Sequence, residues 1–339
     1  MQAIHVEKLI KGPQDLEVTQ VALPSPHDNQ YVVEIRACGA NFFDLLQIRG
    51  KYQWQPPLPW IAGSEFSGVI LSTPKNNKWR RFAKGDKVFG SSQGAFAEQI
   101  CVEEAHLQPI PKGWRFTEAA ALYLTGPTAH VAIDLRAKTQ PGDWALIHGA
   151  AGGVGLSAIQ FAKARGAKVI ATATTERNLA VCKSFGADHV IDYVAKPEWD
   201  KQVMRITAGH GVDVVFDPVG TISQSMKCAA FDARLVAIGF VGGQIEAIKV
   251  NRILLKNISI VGLHWGAYAQ FDPHMIPKVW EGLFKLIEEG KYRSTVFQED
   301  NVKAFVGLEH VGRALKLLED KESWGKVVIE VASSGKLRL

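Results

Sequence analysis

A chain of 339 residues exceeds what one hydrophobic core usually organises, so two domains with a large buried interior are expected. Hydrophobic residues at 47% and charged residues at 22% lie near globular averages and exclude a disordered or fibrous chain. The net charge of +5 comes without a basic block, which argues against nucleic acid as a partner; the densest run, Lys75 to Lys87, is broken by Trp79, Phe82 and Ala83 and reads as a solvated loop.

At the N-terminus, Met1-Gln2-Ala3-Ile4-His5-Val6 lacks a charged-then-apolar signal pattern. No apolar run anywhere approaches the ~18 residues a bilayer span needs, so no membrane partner is expected. Up to about Pro111, short β-rich pieces such as Tyr31 to Arg36 and Phe66 to Leu71 are punctuated by proline and glycine, which predicts a small β-leaning lobe. Cys38, Cys101, Cys182 and Cys228 are widely spaced and form neither a C-x-x-C pair nor a disulfide framework. They read as buried thiols of a protein in a reducing compartment, and a cytoplasmic location is the expectation.

Near Thr117 the composition changes. Glu118 to Leu122 begins a helical stretch, and strand-like runs then alternate with helix-period segments. The runs are Trp144 to His148, Lys168 to Thr172, His189 to Ile191, Val212 to Phe216, Arg234 to Ile238 and Ile258 to Gly262. Between them lie amphipathic stretches, including Val154 to Arg165 and Arg177 to Phe185, so the class is α/β with a doubly wound parallel sheet of the Rossmann kind. Ile276 to Glu289 then reads as an amphipathic helix ended by Gly290, and Lys326 to Val331 as a last strand that returns to the first lobe. The expected division is residues 1–124 with 271–339 as one domain and 125–270 as the other. The terminal Leu337-Arg338-Leu339 matches the peroxisomal Ser-Lys-Leu address too faintly to carry weight.

The run Gly149-Ala150-Ala151-Gly152-Gly153-Val154-Gly155 joins the first of these strands to a helix. Glycine there lets backbone approach a dinucleotide diphosphate, and the free N–H groups at the helix start complement its charge. Position 151 is alanine where the commonest G-x-G-x-x-G spacing has glycine. An NAD site usually carries an acid at the end of the second strand, where it binds the ribose 2′-OH. Here Thr172, Thr174 and Thr175 occupy that end with no carboxylate among them, and Arg177 follows, which favours NADP. Glu176 adjoins the site, and Arg177 also reads as an ordinary surface residue of the helix.

Six short motifs resemble the zinc-independent quinone oxidoreductase branch of the medium-chain dehydrogenase/reductase superfamily: Gly39 to Asp44, Gly63 to Gly68, Gly94 to Glu98, Leu124 to Ala129, Gly149 to Gly155 and Gly325 to Val328. The resemblance implies a GroES-like β-rich catalytic domain made from both chain ends, a Rossmann NADP-binding domain, a cleft between them, and a homodimer joined through the edge strands of the Rossmann sheets. Zinc relatives hold their catalytic metal at positions that here are Asn41, Ser64 and approximately Ala121, none a good Zn²⁺ ligand, and only Cys101 lies where the structural zinc lobe needs four cysteines. No metal is therefore expected. By the same resemblance Thr128, Gly239 and Phe240 lie beside the nicotinamide, Tyr193 near the 2′-phosphate and Lys326 near the ribose or phosphates. Tyr193 also reads as a half-buried strand-end aromatic.

Asn41 and Tyr52 resemble the polar lining of the family's substrate site, while Leu46 stands where the family often has tyrosine. His264, Trp265 and Tyr268, in a glycine-flanked stretch after the last strand of the sheet, read either as pocket and dimer contacts or as edge packing; His264 reads more readily as a structural histidine than as an acid. Without a metal to polarise a simple ketone, acceptors that are already electrophilic are favoured: a small-molecule quinone or enone, reduced at the expense of NADPH, with Asn41 or Tyr52 bonding the developing oxyanion. The alternative is an NADPH-binding structural or interaction protein with little turnover, which the substitution at Leu46 favours.

Overall fold

The computed structural model describes residues 1–75, 80–298 and 305–332; Trp79 and Leu337-Arg338-Leu339 lie outside them. The chain forms two compact units, Met1–Leu124 with Ser294–Leu339 and Thr125–Arg293.

In the first unit, alternation along Gln30–Gly39 buries Tyr31, Val33, Ile35 and Cys38, giving the ten-residue strand around which a seven-stranded sheet assembles. Glu65–Ser72 and Gln99–Glu103 pair antiparallel with it. Near its end so does Val328–Glu330, from the far end of the chain, with Val328 opposite Gly39. A second sheet of three strands joins Gln2–Val6 to Val18–Gln20 and Trp60–Ile61. Phe66, Phe96, Leu107, Leu315 and Ile329 share one core with the long strand, so both ends of the chain supply it. This is the β-rich lobe that the sequence pattern predicts.

The second unit is a Rossmann sheet. Its strands are β1 (Trp144–Ile147), β2 (Lys168–Ala173), β3 (His189–Asp192), β4 (Val212–Asp217), β5 (Ala229–Ala237) and β6 (Ser259–Gly262). They lie in the order 3-2-1-4-5-6, all parallel. The order reverses between β1 and β4, so the loops after these two strands diverge and leave a crevice at the carboxyl end, where such sheets take ligands. Helix α1 (Gly153–Ala164) follows β1 and helix α2 (Glu176–Ser184) follows β2.

The chain leaves this unit at Arg293, not at residue 270 as the sequence pattern suggests. The reason is packing: the amphipathic helix Met275–Glu288 faces the sheet's own helices. His130 bonds the carbonyl of Val279 at 3.0 Å and abuts Gly282, and Tyr292 bonds Ser157 of α1 at 2.8 Å. Among the described residues no helix is long and apolar enough to cross a membrane. All four cysteines are free thiols; Cys101 is half-buried where a buried thiol was expected. Burial raises each of their pKa values, to about 12 for Cys182 and Cys228.

Candidate functional site

In the Rossmann unit the glycines of the turn divide their tasks. Gly149 takes φ +54°, and a Cβ there would meet Pro218 and Val219 at 3.3 Å. Gly155 lies where the helix crosses the turn: a Cβ would meet the Gly149 carbonyl oxygen at 2.4 Å and Ala150 Cα at 2.6 Å, so only glycine lets α1 pack there. Gly152, the exposed N-cap of α1, is different. Its φ is −75°, and a Cβ would meet nothing closer than the Gly149 oxygen at 3.4 Å, an ordinary contact. Neither backbone strain nor protein packing requires glycine at this position. The first-turn N–H groups of α1 open on this exposed glycine, an arrangement that can receive an anion.

Loops from neighbouring strands close round this turn. Ala150 N–H donates to the Thr172 carbonyl at 3.1 Å, and Tyr193 N–H to Ala173 at 3.4 Å. After β4, Asp217 organises the next loop: one carboxylate oxygen accepts from the N–H groups of Val219 and Gly220 at 2.8 and 2.9 Å, the other from the N–H of Thr221 at 2.6 Å. That loop in turn accepts from Val241 and Gly242, which follow Gly239 and Phe240 at the end of β5. The glycine turn, Thr174, Tyr193, Gly239 and Phe240 therefore sit together at the carboxyl end of the sheet. Arg177 is exposed on the first turn of α2.

Two threonines have other tasks. Thr172 is fully buried, with its hydroxyl 3.0 Å from His148 Nδ1, so it braces the turn from beneath and is shut off from any ligand. Thr175 caps α2, its hydroxyl accepting from Asn178 N–H at 3.1 Å. His148 completes the brace. Ser225 donates to the Thr221 carbonyl at 2.9 Å, so it accepts from His148 Nε2–H, also at 2.9 Å, and Nδ1 accepts from Thr172. Burial lowers the His148 pKa to about 4 against the opposing charge of Asp217, and the ring stays neutral.

In the GroES-like unit, Asn41 ends the long strand's excursion and caps the helix Phe42–Ile48. Its backbone N–H donates to Asp44 Oδ2 at 2.8 Å in a capping box. Its amide oxygen accepts from Lys326 Nζ at 2.6 Å, and its amide nitrogen donates to the Gly39 carbonyl at 3.2 Å. Lys326 pairs with fully buried Glu65 at 2.7 Å and donates to the Ala40 carbonyl at 3.0 Å; the other Glu65 oxygen accepts from Leu124 N–H at 3.0 Å. Lys326 is thus buried, with its three protons donated to acceptors of its own unit. Asp44 is buried. Burial pushes its pKa up to about 7, with Asn41 N–H and Lys326 opposing and Glu65 adding to the rise. Tyr52 is half-buried and stacked on Phe43 at 5.4 Å; burial, then the charge of Asp44, raises its pKa, so the phenol keeps its proton. Leu46 is half-buried on the same helix.

Thr128 lies half-exposed in the helix Thr125–His130. Beyond β6, His264 is exposed, and Trp265 and Tyr268 pair their rings at 5.4 Å. No cluster of three or more His, Cys, Asp or Glu able to hold a metal occurs among the described residues. Sequence reasoning missed His148, Ser225 and Asp217 in one unit, and Asp44 and Glu65 in the other. Two local signals were present: the Asn41-x-x-Asp44 spacing of a capping box, and the Asp217-Pro218 turn after a buried strand.

Residues 27–112 match the family model of the alcohol dehydrogenase GroES-like domain, and residues 153–285 that of zinc-binding dehydrogenase. A quinone oxidoreductase-like protein 2 homolog of Nematostella vectensis is 35% identical over 89% of this chain and 81% of its own. Among solved structures, the Escherichia coli quinone oxidoreductase complexed with NADPH superposes with a TM-score of 0.85 at 27% identity, over 97% of this chain and all of that one. The CurK enoyl reductase gives 0.84 at 26% identity, over 97% and 99%. With both domain models in their expected places and relatives of this identity along most of its length, the chain belongs to the quinone oxidoreductase branch of the medium-chain dehydrogenase/reductase superfamily.

Proposed function

We propose that this oxidoreductase reduces quinones, or the C=C bond of α,β-unsaturated carbonyls, with NADPH and without zinc. The observation that carries the reading is Gly152, a glycine that neither backbone strain nor protein packing requires, exposed at the start of a Rossmann helix whose neighbouring strand end offers Thr174 and Arg177 in place of an acid. When bound, NADPH supplies the hydride. The first-turn N–H groups of α1 hold its diphosphate, Arg177 neutralises the 2′-phosphate with Tyr193 near it, and Gly239, Phe240 and Thr128 serve the nicotinamide end.

In the GroES-like unit, Asn41 donates a hydrogen bond to the acceptor's carbonyl oxygen as charge develops there. Tyr52, held in its protonated form, donates the proton. Asn41 and Ser64 are poor Zn²⁺ ligands, so polarisation falls to hydrogen bonds, and acceptors whose conjugation already spreads the added charge are preferred. The enoyl reductase and quinone oxidoreductase relatives support both acceptor classes. Leu46 bears on which class is preferred, and favours a second reading in which the chain binds NADPH with little turnover. Edge strand β6 and the exposed Phe231, Val250, Leu254 and Leu255 of the same unit support a homodimer through that edge. Four free thiols support a cytoplasmic location. Steady-state assays with NADPH and NADH across a panel of quinones and enones test the proposal. Turnover of one class with NADPH preferred is expected; absence of turnover across the panel, with NADPH bound, refutes it in favour of the second reading.

A further inference from the structure

The buried group Lys326, Glu65 and Asn41 has a hydrogen-bond account that closes. An ammonium has three protons and no acceptor. Those of Lys326 go to Ala40 O at 3.0 Å, Glu65 Oε2 at 2.7 Å and Asn41 Oδ1 at 2.6 Å, and the side chain is 5% exposed. Its main chain is pinned as well, the N–H to Thr295 O and the carbonyl to Phe297 N–H, both at 2.8 Å. Donation to a cofactor phosphate would require breaking one of these bonds in a buried site, where an unpaired charged group is costly.

The arrangement decides which way the Asn41 amide faces. Only an acceptor can sit 2.6 Å from an ammonium, so the amide oxygen is turned inward and the NH₂ is the remaining polar end. One of its protons goes to Gly39 O at 3.2 Å. The other has only Glu65 Oε2 at 3.5 Å, at the outer limit of a hydrogen bond, a contact that a carbonyl oxygen would readily replace. The ammonium also cancels the Glu65 charge, which would otherwise repel an oxyanion forming beside Asn41.

We propose that Lys326 is a positioning residue for Asn41, its ammonium fixing the amide so that the NH₂ is the donor offered to the acceptor's oxygen. The inference rests on the reading of Asn41 given above. Lys326→Met is the direct perturbation. Because it strands the Glu65 carboxylate in the core, the pair Lys326→Met with Glu65→Gln serves as the variant that folds without an isolated charge. With a quinone or enone that the wild type reduces, kcat falls by about 10²–10³ in both, the range for loss of an oriented oxyanion donor. The NADPH dissociation constant, from nicotinamide fluorescence, stays within threefold. The double variant recovers melting temperature but not kcat. If instead kcat is kept in a folded variant, or NADPH binding weakens in a salt-dependent manner while kcat is retained, Lys326 is not a positioning residue. A readout independent of turnover separates this from failure of the reductase reading. The Asn41 side-chain amide, identified in ¹H–¹⁵N spectra by its absence in Asn41→Ala, exchanges slowly with water in the wild type and rapidly in the double variant. Unchanged exchange overturns the inference even if no acceptor is found.

Discussion

Alanine at Gly152 and alanine at Gly155 add the same methyl group to the same turn, and the structure separates their consequences. At Gly155 the new Cβ falls 2.4 Å from the Gly149 oxygen and 2.6 Å from Ala150 Cα, both backbone atoms that cannot rotate away. Helix α1 must shift from the end of β1, at a cost of about 1–3 kcal/mol for overpacking. In a domain of this size that lowers the melting temperature by roughly 2–12 °C, and NADPH binding falls with it. At Gly152 the nearest atom is 3.4 Å away and φ is −75°, so alanine fits. Its poorer N-cap propensity and its lower unfolded-state entropy each amount to under about 1 kcal/mol with opposite signs, leaving the melting temperature nearly unchanged. A diphosphate at the N–H groups of α1 has no room for that methyl, so NADPH should bind about 10–100-fold more weakly, a loss of roughly 1.4–2.8 kcal/mol. Scanning fluorimetry and nicotinamide fluorescence titration measure the two quantities on the same samples. If Gly152→Ala binds NADPH like the wild type, the diphosphate does not lie on the start of α1 and the cofactor assignment fails.

Three further expectations follow from other parts of the molecule. Arg177→Ala should weaken NADPH about tenfold and leave NADH unchanged, as expected for loss of one charge-assisted contact to the 2′-phosphate; equal losses for both cofactors would exclude that contact. Asp44 has its pKa raised from 3.8 to about 7, chiefly by burial, so between these values the folded state holds a proton that the unfolded state has lost, and stability falls as pH rises through that window, by roughly 4 kcal/mol at most. Urea unfolding of Asp44→Asn should therefore gain on the wild type from about pH 4 to pH 8, and a pH-independent difference would refute the buried-proton argument. Leu254→Asp places a charge at an 80% exposed leucine and should convert the proposed dimer to monomer in light scattering without lowering NADPH affinity; a dimer mass in both proteins would remove that face from the proposed interface, and a monomer mass in the wild type would refute the dimer itself.

The Rossmann unit was legible because its central strands, Trp144–Ile147 and Lys168–Ala173, are buried on both faces and read as largely apolar runs, as parallel strands do, while the partly exposed edge strands were placed by their regular alternation with helices. The glycine turn was legible for a related reason, since backbone function leaves glycine in the sequence. Side-chain networks leave no such trace. His148, Thr172 and Ser225 meet only once β1, β2 and the helix after β4 are assembled, and nothing at Thr172 alone tells whether its hydroxyl faces a ligand or a buried imidazole. Lys326 and Asn41 are 285 residues apart, so the ion pair that orients the amide appears only when Val328–Glu330 joins the long strand. The late domain boundary has a similar origin. The amphipathic pattern of Met275–Glu288 shows that it has a buried face but not which unit buries it.

Two positive fields recur in these units, and they differ in their exposure to solvent. At the nucleotide end the positive groups are the start of α1 and Arg177, both exposed, and salt screens such groups over about 8 Å at physiological ionic strength. Behind Asn41 the positive group is an ammonium sealed in the core and balanced by Glu65; salt does not reach it, and its influence passes outward through the fixed orientation of a neutral amide. The two steps should therefore separate under added salt. Raising NaCl from about 0.05 to 0.5 M is expected to raise KM for NADPH several-fold while kcat at saturating NADPH stays within about twofold. Potassium sulfate matched for ionic strength should reproduce the result if screening is the cause. A kcat that falls in step with NADPH affinity would refute the proposal that a buried ammonium, balanced by Glu65, orients the donor to the acceptor's oxygen.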